Sequence, residues 1–151
     1  GLEPDVITYS AAISACEKAG DWQQAADLFD DYTRSGLEPC VVAVNAVIAA
    51  FGKGCQWQRA LDVFADATRR GLAVDVITYT ALISACGRSG QWETALGLFD
   101  DMRDRALEPN TVTYTALISA CAKGAQWETA LALLDDLLDR GLEPTLVTYN
   151  A

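Results

Sequence analysis

The sequence contains no histidine. That absence removes the commonest general base, the commonest metal ligand and every histidine-dependent nucleophilic arrangement. It also rules out the H-x-E signature of a zinc deaminase, so an enzyme would need a catalytic module beyond residue 151. No apolar run is long enough to span a bilayer, and the opening GLEPDVITYS has neither the charged nor the apolar region of a signal or transit peptide. No membrane partner, small-molecule substrate, metal or other cofactor is therefore expected, and any targeting segment would lie outside these residues. Cations are scarce: 11 Lys and Arg stand against 21 Asp and Glu, a net charge of −10. Such a balance argues against a nucleic-acid ligand unless the cations are segregated. Cys16, Cys40, Cys55, Cys86 and Cys121 are too dispersed for a zinc knuckle and read as small buried side chains in a reducing compartment. What the chain has in quantity is apolar surface, 51% hydrophobic residues over 151, enough to bury a core and to exclude a disordered tail.

It also has an internal repeat. PDVITYSAAISAC at Pro4 returns as VDVITYTALISAC at Val74 and PNTVTYTALISAC at Pro109, with PCVVAVNAVIAAF at Pro39 between them, a step of 35 residues. Trp22, Trp57, Trp92 and Trp127 keep that interval, as do Ala25, Ala60, Ala95 and Ala130. Four units follow, 6–40, 41–75, 76–110 and 111–145; residues 1–5 end a preceding unit and 146–151 begin a further one.

Each unit reads as two helices. In the third, the first helix runs from about Val76 to Gly87 behind a cap at Asp75 and breaks at the Gly90 turn, with Gly20, Gly54 and Gly124 as its expected counterparts. The second begins near Trp92 and, in its counterparts, ends before Gly71 or Gly141. Arg34, Arg69, Arg70, Arg103, Arg105 and Arg140 gather at the ends of the second helices, where they complement the helix dipole. A pair this short cannot cover its own apolar face, so the units must stack as an all-α solenoid. The absence of polar capping units leads us to expect a segment of a longer array.

With residues of the third unit's first helix placed at about 100° intervals from Ile77, Tyr79, Leu82, Ile83 and Cys86 fall between roughly 140° and 240°, an apolar stripe. Ile77, Thr80, Ser84 and Arg88 fall within about 60° of zero, on the opposite side. The same places hold Ile7, Ser10, Ser14 and Lys18; Val42, Asn45, Ala49 and Lys53; and Val112, Thr115, Ser119 and Lys123. Residues 6–19, 41–54, 76–89 and 111–124 carry four cations and one acid, Glu17, a net +3 against −13 elsewhere. The scarce positive charge is thus segregated. A cation beside a hydrogen-bonding group and a flat aliphatic suits a single nucleic-acid strand, the three contacting phosphate, base edge and base face. The competing reading is that Ile77 shields an inter-repeat joint and Arg88 decorates a helix end.

VITYTALISACGRSG and ETALGLFDDMRDRALEP resemble the pentatricopeptide repeat, with its V-x-T-Y-N-x-L-I opening, cation closing the first helix, A-L-x-L-F in the second and G-x-x-P before the next unit. The resemblance covers essentially the whole chain. It implies a right-handed α-solenoid that binds single-stranded RNA, one base per repeat, without catalysis of its own. It further implies that the fifth and last residues of each unit choose the base while the second wedges between bases. The pairs are then Ser10 with Cys40, Asn45 with Asp75, Thr80 with Asn110, and Thr115 with Thr145, Asn150 being the fifth residue of the unit begun at 146. The wedges are Ile7, Val42, Ile77, Val112 and Val147; the phosphate contacts are Lys18, Lys53, Arg88 and Lys123.

The family's tendency, Asn with Asp for uridine, Thr with Asn for adenosine and Ser or Thr at the fifth place for purine generally, implies 5′-purine, U, A, purine-3′. Cys40 and Thr145 depart from the usual Asp or Asn, which leaves units one and four with the general purine tendency alone and makes the middle two letters the specific expectation. Asp75 and Asn110 are equally natural helix caps. Unit two departs at Ala43, Val44 and Phe51, on its buried side. Family resemblance implies a mitochondrion or chloroplast and work in RNA stabilisation, processing, editing or translation. A second class of partner stays open: the −13 remainder suits a protein-binding scaffold or a structural subunit of a larger organellar ribonucleoprotein.

Overall fold

The computed structural model describes residues 5–144. Among them run α1 (Val6–Ala19), α2 (Trp22–Arg34), α3 (Val41–Lys53), α4 (Trp57–Arg69), α5 (Val76–Arg88), α6 (Trp92–Asp104), α7 (Thr111–Lys123) and α8 (Trp127–Asp139). The repeats' first helices start at 6, 41, 76 and 111, the second at 22, 57, 92 and 127.

The starts have local causes. Asp5 accepts from the Thr8 amide at 2.8 Å and Asp21 from that of Gln24 at 3.0 Å. Asp75 and Asn110 each form a capping box with the threonine three residues on, Thr78 and Thr113. Cys40, Gln56, Gln91 and Gln126, by contrast, begin α3, α4, α6 and α8 without a side-chain cap.

The chain forms two compact units, Gly1–Val74 and Asp75–Ala151. In the first, α1 packs on α2 and α3, and α3 on α2 and α4. In the second, α5 packs on α6 and α7, and α7 on α6 and α8. Each unit is therefore a pair of helical hairpins with first helix laid on first helix. The stripe predicted for α5 is fully buried at Tyr79, Leu82, Ile83 and Cys86. Its counterparts Tyr114, Leu117 and Cys121 are fully buried too, each large aliphatic contributing roughly 1.5–3 kcal/mol. The phenols of Tyr79 and Tyr114 donate to Asp101 and Asp136 on the second helix of the same hairpin, and those carboxylates pair with Arg105 and Arg140 at 3.2 and 3.3 Å. Tyr32 on α2 instead donates to the Glu38 carbonyl at 3.0 Å and stacks on Tyr9 with ring centroids 5.0 Å apart.

Two expectations need correction. Gly54 and Gly124 are not counterparts of Gly20 and Gly90: their φ angles are −90° and −85°, ordinary for any residue. The left-handed position is one residue later, held by Gly20 (φ 74°), Cys55 (φ 56°), Gly90 (φ 75°) and Ala125 (φ 58°). What Gly54 and Gly124 provide is space, because an indole lies against each. The cysteines are also not uniformly buried. Cys86 and Cys121 are, and burial pushes the Cys86 thiol up to about 11 and raises that of Cys121. Cys16 and Cys40 are half-buried, and Cys55 is exposed because it sits in the turn.

Candidate nucleic-acid interface

The second residue of each repeat stands one position inside its helix, beyond the reach of the packed stripe. Ile7, Val42, Ile77 and Val112 are 78%, 62%, 63% and 61% exposed, so none is sealed in a joint. The fifth residues sit lower. Ser10 is buried, and Asn45, Thr80 and Thr115 are half-buried between neighbouring side chains. The face the helical wheel predicts as open is open at its aliphatic and cationic places and recessed at its hydrogen-bonding place.

In each compact unit the seam between consecutive first helices opens into a shallow groove. That of the first unit, about 370 Å³, is lined by Ile7, Ser10, Ser14, Cys40 and Val42, among others. That of the second, about 220 Å³, gathers Ser84, Arg88, Val112, Thr115, Ser119 and Lys123. The second groove thus brings together a branched aliphatic, three hydroxyls and two cations from α5 and α7.

The predicted cations are exposed, but they are not equivalent. Lys53 is bound to Glu17, its ammonium 2.7 Å from the carboxylate and 2.9 Å from the Glu17 carbonyl. Among the described residues no carboxylate pairs with Lys18, Arg88 or Lys123. Aligning the repeats carries the signal for Glu17, since the corresponding places are Gly52, Gly87 and Ala122.

The pairs of fifth and last residues differ as well. Ser10 lies 3.2 Å from Cys40, with its own proton on the Val6 carbonyl at 2.7 Å. Burial pushes the Cys40 thiol up, while hydrogen bonding, from the main-chain amides of Ala43 and Val42 among others, favours the thiolate and leaves it below the ordinary 9.0. Among the described residues no hydrogen bond joins Thr80 to Asn110; the fully buried Thr113 hydroxyl links them, 2.8 Å from the Thr80 oxygen and 2.9 Å from Asn110 Oδ1. Thr113 is a residue the sequence reading passed over. Asn45 and Asp75 belong to different compact units, and Asp75 caps α5 through the Thr78 amide. Thr115 donates to the Thr111 carbonyl at 2.8 Å, while Thr145, Val147 and Asn150 lie outside the described residues.

The second-helix arginines have a structural occupation. Arg34, Arg69 and Arg70, Arg105 and Arg140 pair with Asp31, Asp66, Asp101 and Asp136 one turn back. Among the described residues no helix is long and apolar enough to cross a membrane, and no His, Cys, Asp or Glu cluster could hold a metal ion.

The sequence pattern of the PPR repeat family matches residues 39–88, 74–123 and 109–151, and that of the pentatricopeptide repeat domain matches residues 1–54. No curated protein sequence matches. Among solved structures, the pentatricopeptide repeat protein PPR10 in complex with an 18-nt psaJ RNA element superposes with a TM-score of 0.89 at 31% identity, over 99% of this chain and 22% of that one. PPR10 from maize gives 0.81 at 23% identity, over 99% and 22% of the two chains. The PPR domain of Arabidopsis thaliana protein-only RNase P 1, in complex with tRNA, gives 0.82 at 16% identity, over 97% and 77%. The fold class is thereby that of an all-α helical-repeat solenoid. The chain spans about a fifth of the length of PPR10.

Proposed function

Because the chain belongs to the pentatricopeptide repeat family, we propose that it binds single-stranded RNA selectively, one base per repeat, in the stabilisation, processing or translation of organellar transcripts. The observation that carries this reading is the groove between α5 and α7. It sets Arg88 and Lys123 for phosphates, Val112 for a base face, and Thr115 for a base edge within one concavity. Exposure of all four described second-position aliphatics supports the same division of labour, with Ile7, Val42 and Ile77 stacking as Val112 does. A chain of net charge −10 binds phosphates only where its cations are concentrated.

The preference we propose is 5′-purine, U, A, purine-3′, with Asn45 and Asp75 for uridine and Thr80 and Asn110 for adenosine. The test is a paired substitution, Thr80→Asn with Asn110→Asp, assayed on short RNAs that differ at one base. Preference there should move from adenosine to uridine, and an unchanged preference would refute the pairwise assignment. The second reading, a protein-binding scaffold, draws on the acidic second helices. Tight binding of short RNA by the isolated chain excludes it as the sole role.

A further inference from the structure

The Thr113 amide donates to one side-chain atom of Asn110 at 2.9 Å, which identifies that atom as the oxygen Oδ1 and the other as the nitrogen. The Thr113 hydroxyl lies 2.9 Å from the same Oδ1, an atom that can only accept, so its single proton is spent there. The hydroxyl oxygen also receives the Asn110 amide at 3.3 Å. Toward Thr80, 2.8 Å away, Thr113 can therefore only accept, and Thr80 must donate.

We infer that Thr113 is a positioning residue for base selection in the third repeat: it takes the Thr80 proton and the Asn110 oxygen out of play, and so fixes the pair as one acceptor and one donor. The inference rests on the reading of Thr80 and Asn110 as a base-selecting pair. What remains for a base is the lone pairs of Thr80 and the amide N–H groups of Asn110. With Thr80 at the exocyclic position and Asn110 at the ring nitrogen, that pattern complements an amine beside an unprotonated ring nitrogen, as in adenine, and mismatches the carbonyl beside a ring N–H that uracil presents in the same register. Without the Thr113 hydroxyl, Thr80 could rotate to offer either polarity and Asn110 Oδ1, still held by the Thr113 main-chain amide, would regain one lone pair, so discrimination would fall.

The first and fourth repeats differ. In the first, Ala43 replaces the threonine, and Ser10 loses its proton to the Val6 carbonyl of its own helix. Thr115 does the same toward Thr111. In the third, the next helix supplies the acceptor.

The test uses the 151-residue chain and RNA octamers UUGUXGUU with each base at X. Thr113→Ala introduces the residue that α3 already carries at position 43, so the fold accommodates it. Wild-type protein should favour A over U at X; T113A should lose about tenfold of that ratio, the effect of one lost hydrogen bond. Thr113→Ser should restore it. Thr8→Ala, which removes the equivalent cap hydroxyl at Asp5, should leave the ratio intact while lowering the melting temperature. A wild-type ratio in T113A overturns the role of Thr113 alone. Absence of any preference at X in the wild type overturns the base-selecting pair and this inference with it.

Discussion

Trp22 lies against Gly54: a Cβ on that glycine would come within 2.2 Å of the indole Cδ1. The second compact unit repeats the relationship with Trp92 and Gly124, again at 2.2 Å. In each compact unit the second helix of one repeat thus lays its leading tryptophan on the end of the next repeat's first helix, at a place where a Cβ would force the indole to shift.

Gly54→Ala and Gly124→Ala should each destabilise the chain by about 1–3 kcal/mol, the usual cost of overpacking. Alanine is otherwise the better helix former, so a purely local account predicts the opposite sign. Thermal melts of the two variants decide between them, and a raised midpoint would contradict the packing argument.

The left-handed turn positions make the reverse prediction. Cys55, Ala106 and Ala125 hold φ of 56°, 62° and 58°, a conformation that costs a residue with a Cβ about 1 kcal/mol relative to glycine. Replacing each by glycine should raise stability by about that amount, additively across the three turns. Denaturant midpoints of the single and triple variants measure it.

Glu17 should weaken RNA binding through Lys53. With that ammonium held by a carboxylate at 2.7 Å, the proposed phosphate contacts without a carboxylate partner among the described residues are Lys18, Arg88 and Lys123. The slope of log affinity against log salt should be about −2 in the wild type and about −3 in Glu17→Gln, at roughly −0.7 per contact. Affinity at low salt should rise in step. Equal slopes would mean that Lys53 reaches phosphate despite its partner, or reaches none in either protein.

The Tyr114–Asp136 bond should appear in the pH dependence of stability. Burial, then the hydrogen bond to Asp136, pushes the Tyr114 phenol from 10.0 up to about 12. A raised folded-state value stabilises below the unfolded value and is lost as pH rises, so stability should fall between about pH 10 and 12. Asp136, held below its ordinary 3.8 by the Tyr114 hydrogen bond, contributes stability above that value which is lost as the solution is acidified through its lowered one. Tyr114→Phe should lower stability at neutral pH by about 1–2 kcal/mol and weaken the alkaline loss. Melts from pH 3 to 12 would show an unchanged alkaline limb if the phenol were not the group responsible.

Sequence alone determined whatever depends on one helix and its period. The starts at Trp22, Trp57, Trp92 and Trp127, the caps at Asp75 and Asn110, the buried stripe from Tyr79 to Cys86 and the outward aliphatics Ile7, Val42, Ile77 and Val112 follow from spacing and cap chemistry within a dozen residues. Tertiary structure decided what depends on a neighbouring helix at ångström precision. The capture of Lys53 by Glu17, the recess of Ser10, and the Thr113 hydroxyl between Thr80 and Asn110 each join residues about one repeat apart. A period says that such residues are neighbours in a stack, but it does not fix the approach to within a hydrogen bond. Position 54 shows the difference: the letter G there is equally consistent with a left-handed turn and with a close approach, and only the indole of Trp22 distinguishes them.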